Sequence, residues 1–317
     1  MTTARTGAER PPGPIPLASW IDDWGRWLLR SYFIGSLSCL CAFMLLTLVA
    51  DVPGPRWLAV LFAALFVPLA FILGSLVLRL RAWRRGELTV VPVDPEPGRG
   101  WRAQLSQMRW LVATVLMFGA WPAAYFFASQ LSGLRESVQF HFAIDQRIPL
   151  RTELAPVYAG IYWFFIFPLL YGRGRTYFWP LLRAYGSLIA ICAAVFILYP
   201  VVYPRDPLVI RHMGDWTLAV IRGADPPSNC FPSSHCAVAV LSGLALRRMH
   251  PPAAVPGIAF ALGICVATVL TRQHYLIDTL AGMLLGVCAY LYFLRPELRG
   301  KLRAIFAARL PTRPPPP

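Results

Sequence analysis

Charge is scarce in this chain. Only 14% of its 317 residues are Asp, Glu, Lys or Arg, while 57% are hydrophobic and the mean hydropathy is +0.54. Soluble domains carry about a quarter charged residues, so an ordinary soluble globule is excluded. The same hydrophobicity excludes intrinsic disorder over most of the length. Lysine is all but absent, since Lys301 stands alone among the basic residues and the rest are Arg. The seven cysteines form no disulfide framework, and no Cys-x-x-Cys or His-Glu-x-x-His accompanies them. Cys39, Cys41, Cys192, Cys265 and Cys288 lie in apolar runs and read as small core residues, while Cys230 and Cys236 flank a polar loop and could pair. The first 30 residues lack the apolar run of a cleavable signal peptide, and no internal repeat is visible.

What the chain has instead is long apolar segments. Eight are candidates for membrane spans, at 31–50, 57–78, 110–131, 155–171, 178–202, 235–249, 254–271 and 275–294. The sixth is short and carries Ser242 and Gly243. Ahead of the first, Trp20, Trp24, Trp27 and Leu28 share one helical face and suggest an interfacial helix. The expectation is an all-α, multi-pass membrane helix bundle of about eight transmembrane helices.

The formal net charge of +15 first suggests an acidic partner. Nucleic acid would need polar surface that this sequence lacks. With the N-terminus in the cytoplasm, 22 basic and 7 acidic residues fall inside, against 8 of each outside. The whole surplus is then a topology signal that places both termini in the cytoplasm. Three regions follow. Residues 1–108 hold the interfacial helix, two spans and a basic linker; 109–296 form a membrane domain; 297–317 form a basic, Pro-rich tail. In the outer loop 203–234, Val209, Met213, Trp216 and Val220 recur at helical spacing, with Asp215 off that face, and read as an amphipathic surface helix.

Two segments carry chemistry. Asn229-Cys-Phe-Pro-Ser-Ser-His235 runs into the sixth span, with Ser233 as an N-cap and His235 in the first turn. Free N–H groups at such a helix start attract anions. Thr271-Arg-Gln-His-Tyr-Leu-Ile-Asp278 joins the last two spans. His274 and Asp278, four apart, would stack on one helical face, the carboxylate orienting the imidazole. Arg272 offers a planar fork for phosphate oxygens. The alternating topology puts His235 and His274 at one membrane level on the outer face. A zinc site built from His235, His274 and Asp278 is the rival reading, and Arg272 next door would repel the cation.

Pro232-Ser-Ser-His235 resembles the PSGH motif of the type 2 phosphatidic acid phosphatase (PAP2) superfamily, and Arg272, His274 and Asp278 resemble its last motif. The resemblance implies a six-helix catalytic core over roughly 110–295 and a phosphohistidine mechanism without cofactor or metal. It implies His274 as nucleophile, Asp278 as its support, His235 as acid and base, and Arg272 as phosphate clamp. Ser233 and Ser234 would line the phosphate site. There are departures. The last motif begins Thr271-Arg272 with one residue before the His, where the superfamily usually has Ser-Arg and five. The usual first motif is missing, and Arg205 is a candidate stand-in. The tight spacing, with Asp145-Gln-Arg147-Ile-Pro149 earlier in the chain, looks like the branch of inositol phosphorylceramide synthase and sphingomyelin synthase. Asp145, Arg147 and Arg151 are candidate headgroup contacts.

The expected function is therefore a lipid-phosphate phosphatase or phosphotransferase in the plasma (bacterial inner) membrane, acting on a lipid phosphate or phospholipid from the outer face. A phospholipid headgroup transferase is the alternative. A non-catalytic transporter or scaffold is the reading from another class, and it predicts that His274→Ala leaves function intact.

Overall fold

The structure, a computed structural model, describes residues 56–88, 90, 101–171 and 175–300, with scattered positions between 15 and 35. All of the span read over 31–50 except Ser31 and Gly35, the linker over 91–100 and the tail from 301 lie outside the described residues. The described part is mostly helical and holds no strand beyond an isolated Val138–Val201 bridge. The helices are α1 (Arg56–Arg84), α2 (Trp101–Ser132), α3 (Ala143–Arg147), α4 (Ala155–Ala159), α5 (Ile161–Phe164), α6 (Ile166–Tyr171), α7 (Arg175–Leu198), α8 (Met213–Ala224), α9 (Ser234–Met249), α10 (Ala254–Leu270) and α11 (Leu276–Leu294).

Among the described residues, four helical segments are long and apolar enough to cross a membrane: Met108–Ser132, Tyr177–Leu198, Pro251–Leu270 and Leu276–Leu294. Each bears exposed Leu, Val, Ile or Phe side chains, as lipid contact requires, including Leu116, Ile191, Val266 and Leu284. The segment 155–171 is not one continuous helix, because the chain turns at Gly160 and Phe165 and breaks into α4, α5 and α6. Its side chains still bury well, with Tyr158, Ile161 and Leu169 fully enclosed.

Helix α9 is the centre of the bundle. It packs against α7, α10 and α11, and its side chains from Ser234 to Gly243 are all buried. A helix wrapped by protein needs no lipid-facing apolar surface, which explains its small residues and modest hydropathy. Ser242 is satisfied at 2.6 Å by the Val238 carbonyl and at 2.7 Å by the Tyr185 hydroxyl. Close contact with α11 depends on two glycines one turn apart. A Cβ on Gly282 would lie 2.3 Å from the Ser233 carbonyl oxygen, and one on Gly286 would lie 2.4 Å from that of Ala237. Small residues at four-residue spacing let two helix backbones touch. Here they lock the start of α11 against the start of α9.

Near the N-terminus, the described positions between 17 and 31 are helical. Trp24 and Trp27 meet edge to face at 5.5 Å, and the Arg79 guanidinium of α1 lies over both rings while pairing with Asp23. The outer-loop helix begins at Met213, so Val209 precedes it, and Val209 and Val220 are exposed. Its buried face is Met213, Gly214, Asp215, Leu218 and Ile221. Asp215 turns inward because it caps the helix, accepting from the Arg211 and His212 amides and, at 2.7 Å, from the Thr152 hydroxyl. Cys192, Cys230, Cys236 and Cys265 are free and buried, whereas Cys288 is exposed and so is not a core residue.

Candidate active site

The two motifs meet at one end of the bundle, where α9 begins and where α10 gives way to α11. Ser233 caps α9, its hydroxyl accepting from the Cys236 amide at 3.3 Å, and its own amide donates to the Asp278 carbonyl at 3.0 Å. The Ser234 and His235 amides, at the first two helical positions, have no acceptor within the helix. The Ser234 hydroxyl is buried without a hydrogen-bond partner among the described residues, which leaves a polar group there for a ligand.

His274 does not lie in the helix with Asp278. It precedes α11, whose N-cap is Tyr275. The four-residue spacing still brings them together, because Asp278 folds back to accept from the Tyr275 amide at 3.0 Å. Its Oδ2 atom lies 3.6 Å from His274 Nδ1. A nearer acceptor holds that nitrogen: the Cys230 carbonyl, at 2.9 Å. A carbonyl can only accept, so Nδ1 carries the proton and Nε2 presents a lone pair. His274 lies between the two last membrane-length helices, and burial pushes its imidazole down; the adjacent Asp278 carboxylate outweighs that and leaves it above the ordinary histidine value.

His235 faces it. The two imidazoles are 5.9 Å apart, centre to centre, and both are nearly fully buried. His235 is ringed by Trp121, Tyr125, Tyr158 and Tyr162 at 5.2 to 5.9 Å. Beside it lies a cavity of about 180 Å³, walled chiefly by Trp121, Tyr125, Phe126, Tyr162 and Phe165, with Asp225 and His235 at its polar end.

Residues 203–296 match the family model of the PAP2 superfamily. That segment includes both motifs and both histidines. No curated protein and no solved structure matches the chain. The PAP2 match supports an enzyme of the phosphoric ester hydrolase or phosphotransferase kind, and the four apolar helices, by length and composition, point to a membrane protein.

The arginines sit differently from the histidines. Arg272 holds a left-handed backbone, φ 51°, which for a non-glycine residue needs local support. Its Nε and Nη2 donate to the Ile148 carbonyl at 3.1 and 2.8 Å, and Nη1 reaches exposed Asp206 at 3.2 Å. Arg205 is turned toward backbone, donating to the Arg222, Asp225 and Pro226 carbonyls. Asp145 is buried and accepts from the Leu276 amide at 2.8 Å, so it secures the start of α11. Cys230 Sγ, His274 and Asp278 offer ligand atoms within 4.8 Å of one another. His274 Nδ1 already donates to a carbonyl, so that nitrogen is not open to an ion.

Three residues without a motif complete the site. Asp225 is buried and accepts from the Tyr125 hydroxyl at 2.6 Å and the Tyr158 hydroxyl at 3.3 Å. No sequence pattern marks either tyrosine, and the Asp lies ten residues before His235 in a loop.

Proposed function

We propose that this protein transfers the phosphoryl group of a membrane lipid through a phosphohistidine on His274, at the outer face of the membrane. The observation that carries the reading is the facing pair of buried imidazoles, 5.9 Å apart, one of them fixed with Nε2 free. The His274 Nε2 lone pair attacks phosphorus as the bond to the leaving oxygen breaks. His235 gives that oxygen a proton. His235 then takes a proton from water or a lipid hydroxyl, which attacks phosphorus and releases His274. Negative charge grows on the non-bridging oxygens. The Ser234 hydroxyl, the helix start at Ser233 and the Arg272 guanidinium are suited to meet it. For Arg272 this means exchanging Asp206 for phosphate. Arg205, held by three carbonyls, supports the loop around Asp225 in this reading. None of these steps calls on a metal or cofactor.

The outer placement follows from the charge asymmetry, which favours cytoplasmic termini. The cavity beside His235 favours a second reading for the acceptor, headgroup transfer to a lipid alcohol. Its walls are aromatic, and Pro122 and Phe126 among them are exposed on the bundle surface. Incubating purified protein with a panel of lipid phosphates and phospholipids, with and without alcohol acceptors, separates the two. Free phosphate marks hydrolysis and a new phospholipid marks transfer. Neither product from any member would contradict both.

A further inference from the structure

We infer that Tyr158 and Asp225 are positioning residues for His235, holding its Nδ1–H so that Nε2 is presented to the leaving oxygen. The assignment rests on the phosphohistidine reading, in which His235 is the acid.

The donor and acceptor inventory fixes the direction of the chain of contacts. The Tyr158 hydroxyl lies 3.3 Å from Asp225 Oδ2 and 3.3 Å from His235 Nδ1. It has one proton to give. The Asp225 carboxylate can only accept, and it already takes the Tyr125 hydroxyl proton on Oδ1 at 2.6 Å. The Tyr158 proton therefore goes to Asp225, and the Tyr158 oxygen accepts from His235 Nδ1–H. This leaves His235 Nε2 for chemistry, as the Cys230 carbonyl leaves His274 Nε2.

The surroundings of Asp225 fit such a role. It is 6% exposed, and Arg205 Nη2 stands 3.9 Å from Oδ2. Tyr125, Tyr158 and Arg205 come from three separate parts of the chain to hold one carboxylate beside one imidazole. A buried carboxylate without purpose would cost more than an apolar residue in its place. When His235 is protonated on Nε2, its positive charge is balanced through Tyr158 by Asp225. As phosphorus bonds to His274, the leaving oxygen keeps the electrons of the broken bond and takes the Nε2 proton. His235 returns to the neutral form with its Nδ1 proton still on Tyr158. Each histidine thus has its own carboxylate: Asp278 directly at His274, and Asp225 through a phenol at His235.

The test uses leaving groups that differ in their need for a proton. An alkoxide needs one, and p-nitrophenolate does not. Purified full-length protein is assayed with dodecyl phosphate and with p-nitrophenyl phosphate, and kcat/KM is compared for wild type, Tyr158→Phe and Asp225→Asn. Tyr158→Phe keeps the ring and removes only the hydroxyl, so it stands if the Asp225 variant fails to fold. The expected result is a fall of about 10- to 100-fold with the alkyl ester and no more than about threefold with the aryl ester. Equal losses on the two esters, or no loss on either, would overturn the assignment alone. Failure of the wild-type protein to cleave either ester would overturn the phosphohistidine reading, and this assignment with it.

Discussion

His274 Nδ1 lies 2.9 Å from the Cys230 carbonyl and 3.6 Å from Asp278 Oδ2, so a backbone group sets its tautomer and a carboxylate sets its charge balance. These two duties can be separated experimentally. Asp278 raises the His274 imidazole against the opposing effect of burial. A nucleophilic histidine must be neutral, so activity rises with pH through its titration. Asp278→Asn removes the raising influence. The acidic limb of the pH–rate profile then moves to lower pH, while the maximal rate drops about 100-fold. A limb that stays in place would assign it to another group.

The Cys230 backbone, and not its thiol, holds His274. Cys230→Ala keeps the carbonyl and should retain activity within about threefold, since truncation removes only one small side chain. EDTA treatment should also leave the rate unchanged. Loss of activity in both experiments would revive the metal reading of Cys230, His274 and Asp278.

Gly282 lets α11 touch the Ser233 carbonyl, so it acts on the site through packing. Gly282→Ala drives a methyl to 2.3 Å from that oxygen and forces the helices apart. The expected cost is about 1–3 kcal/mol of stability, with reduced turnover. Gly186→Ala on α7 is the control, because no described residue outside its own helical turn lies within 4 Å of the added methyl. Thermal unfolding in detergent, measured beside activity, compares the two.

Asp206 occupies one arm of Arg272 at 3.2 Å while being largely exposed itself. An exposed ion pair contributes roughly 0.2–1 kcal/mol. Asp206→Asn should therefore lower the inhibition constant of inorganic phosphate by up to about fivefold. An unchanged constant would separate Arg272 from phosphate binding.

The pieces of this site were unequally legible in the sequence. His235, His274, Asp278 and Arg272 lie in two short segments whose residue types and spacing marked them, although the Arg272 guanidinium reaches the Ile148 carbonyl and Asp206. Tyr158 and Asp225 carry no such signal, because their contact spans 67 residues and depends on how α4 packs beside α8. The four membrane-length helices were visible as apolar runs. The break of 155–171 into short helices was hidden, since enclosed segments stay apolar whether straight or turned. The outer-loop helix was legible in existence but not in its buried face, where a capping aspartate overrides the apolar pattern.

The central claim is a covalent phosphate on His274. Protein incubated with a radiolabelled lipid phosphate and quenched in alkali should carry one acid-labile, alkali-stable phosphate, lost in His274→Ala and kept on folding controls. An unlabelled wild-type protein that nevertheless turns over substrate, or label that persists in His274→Ala, would contradict it.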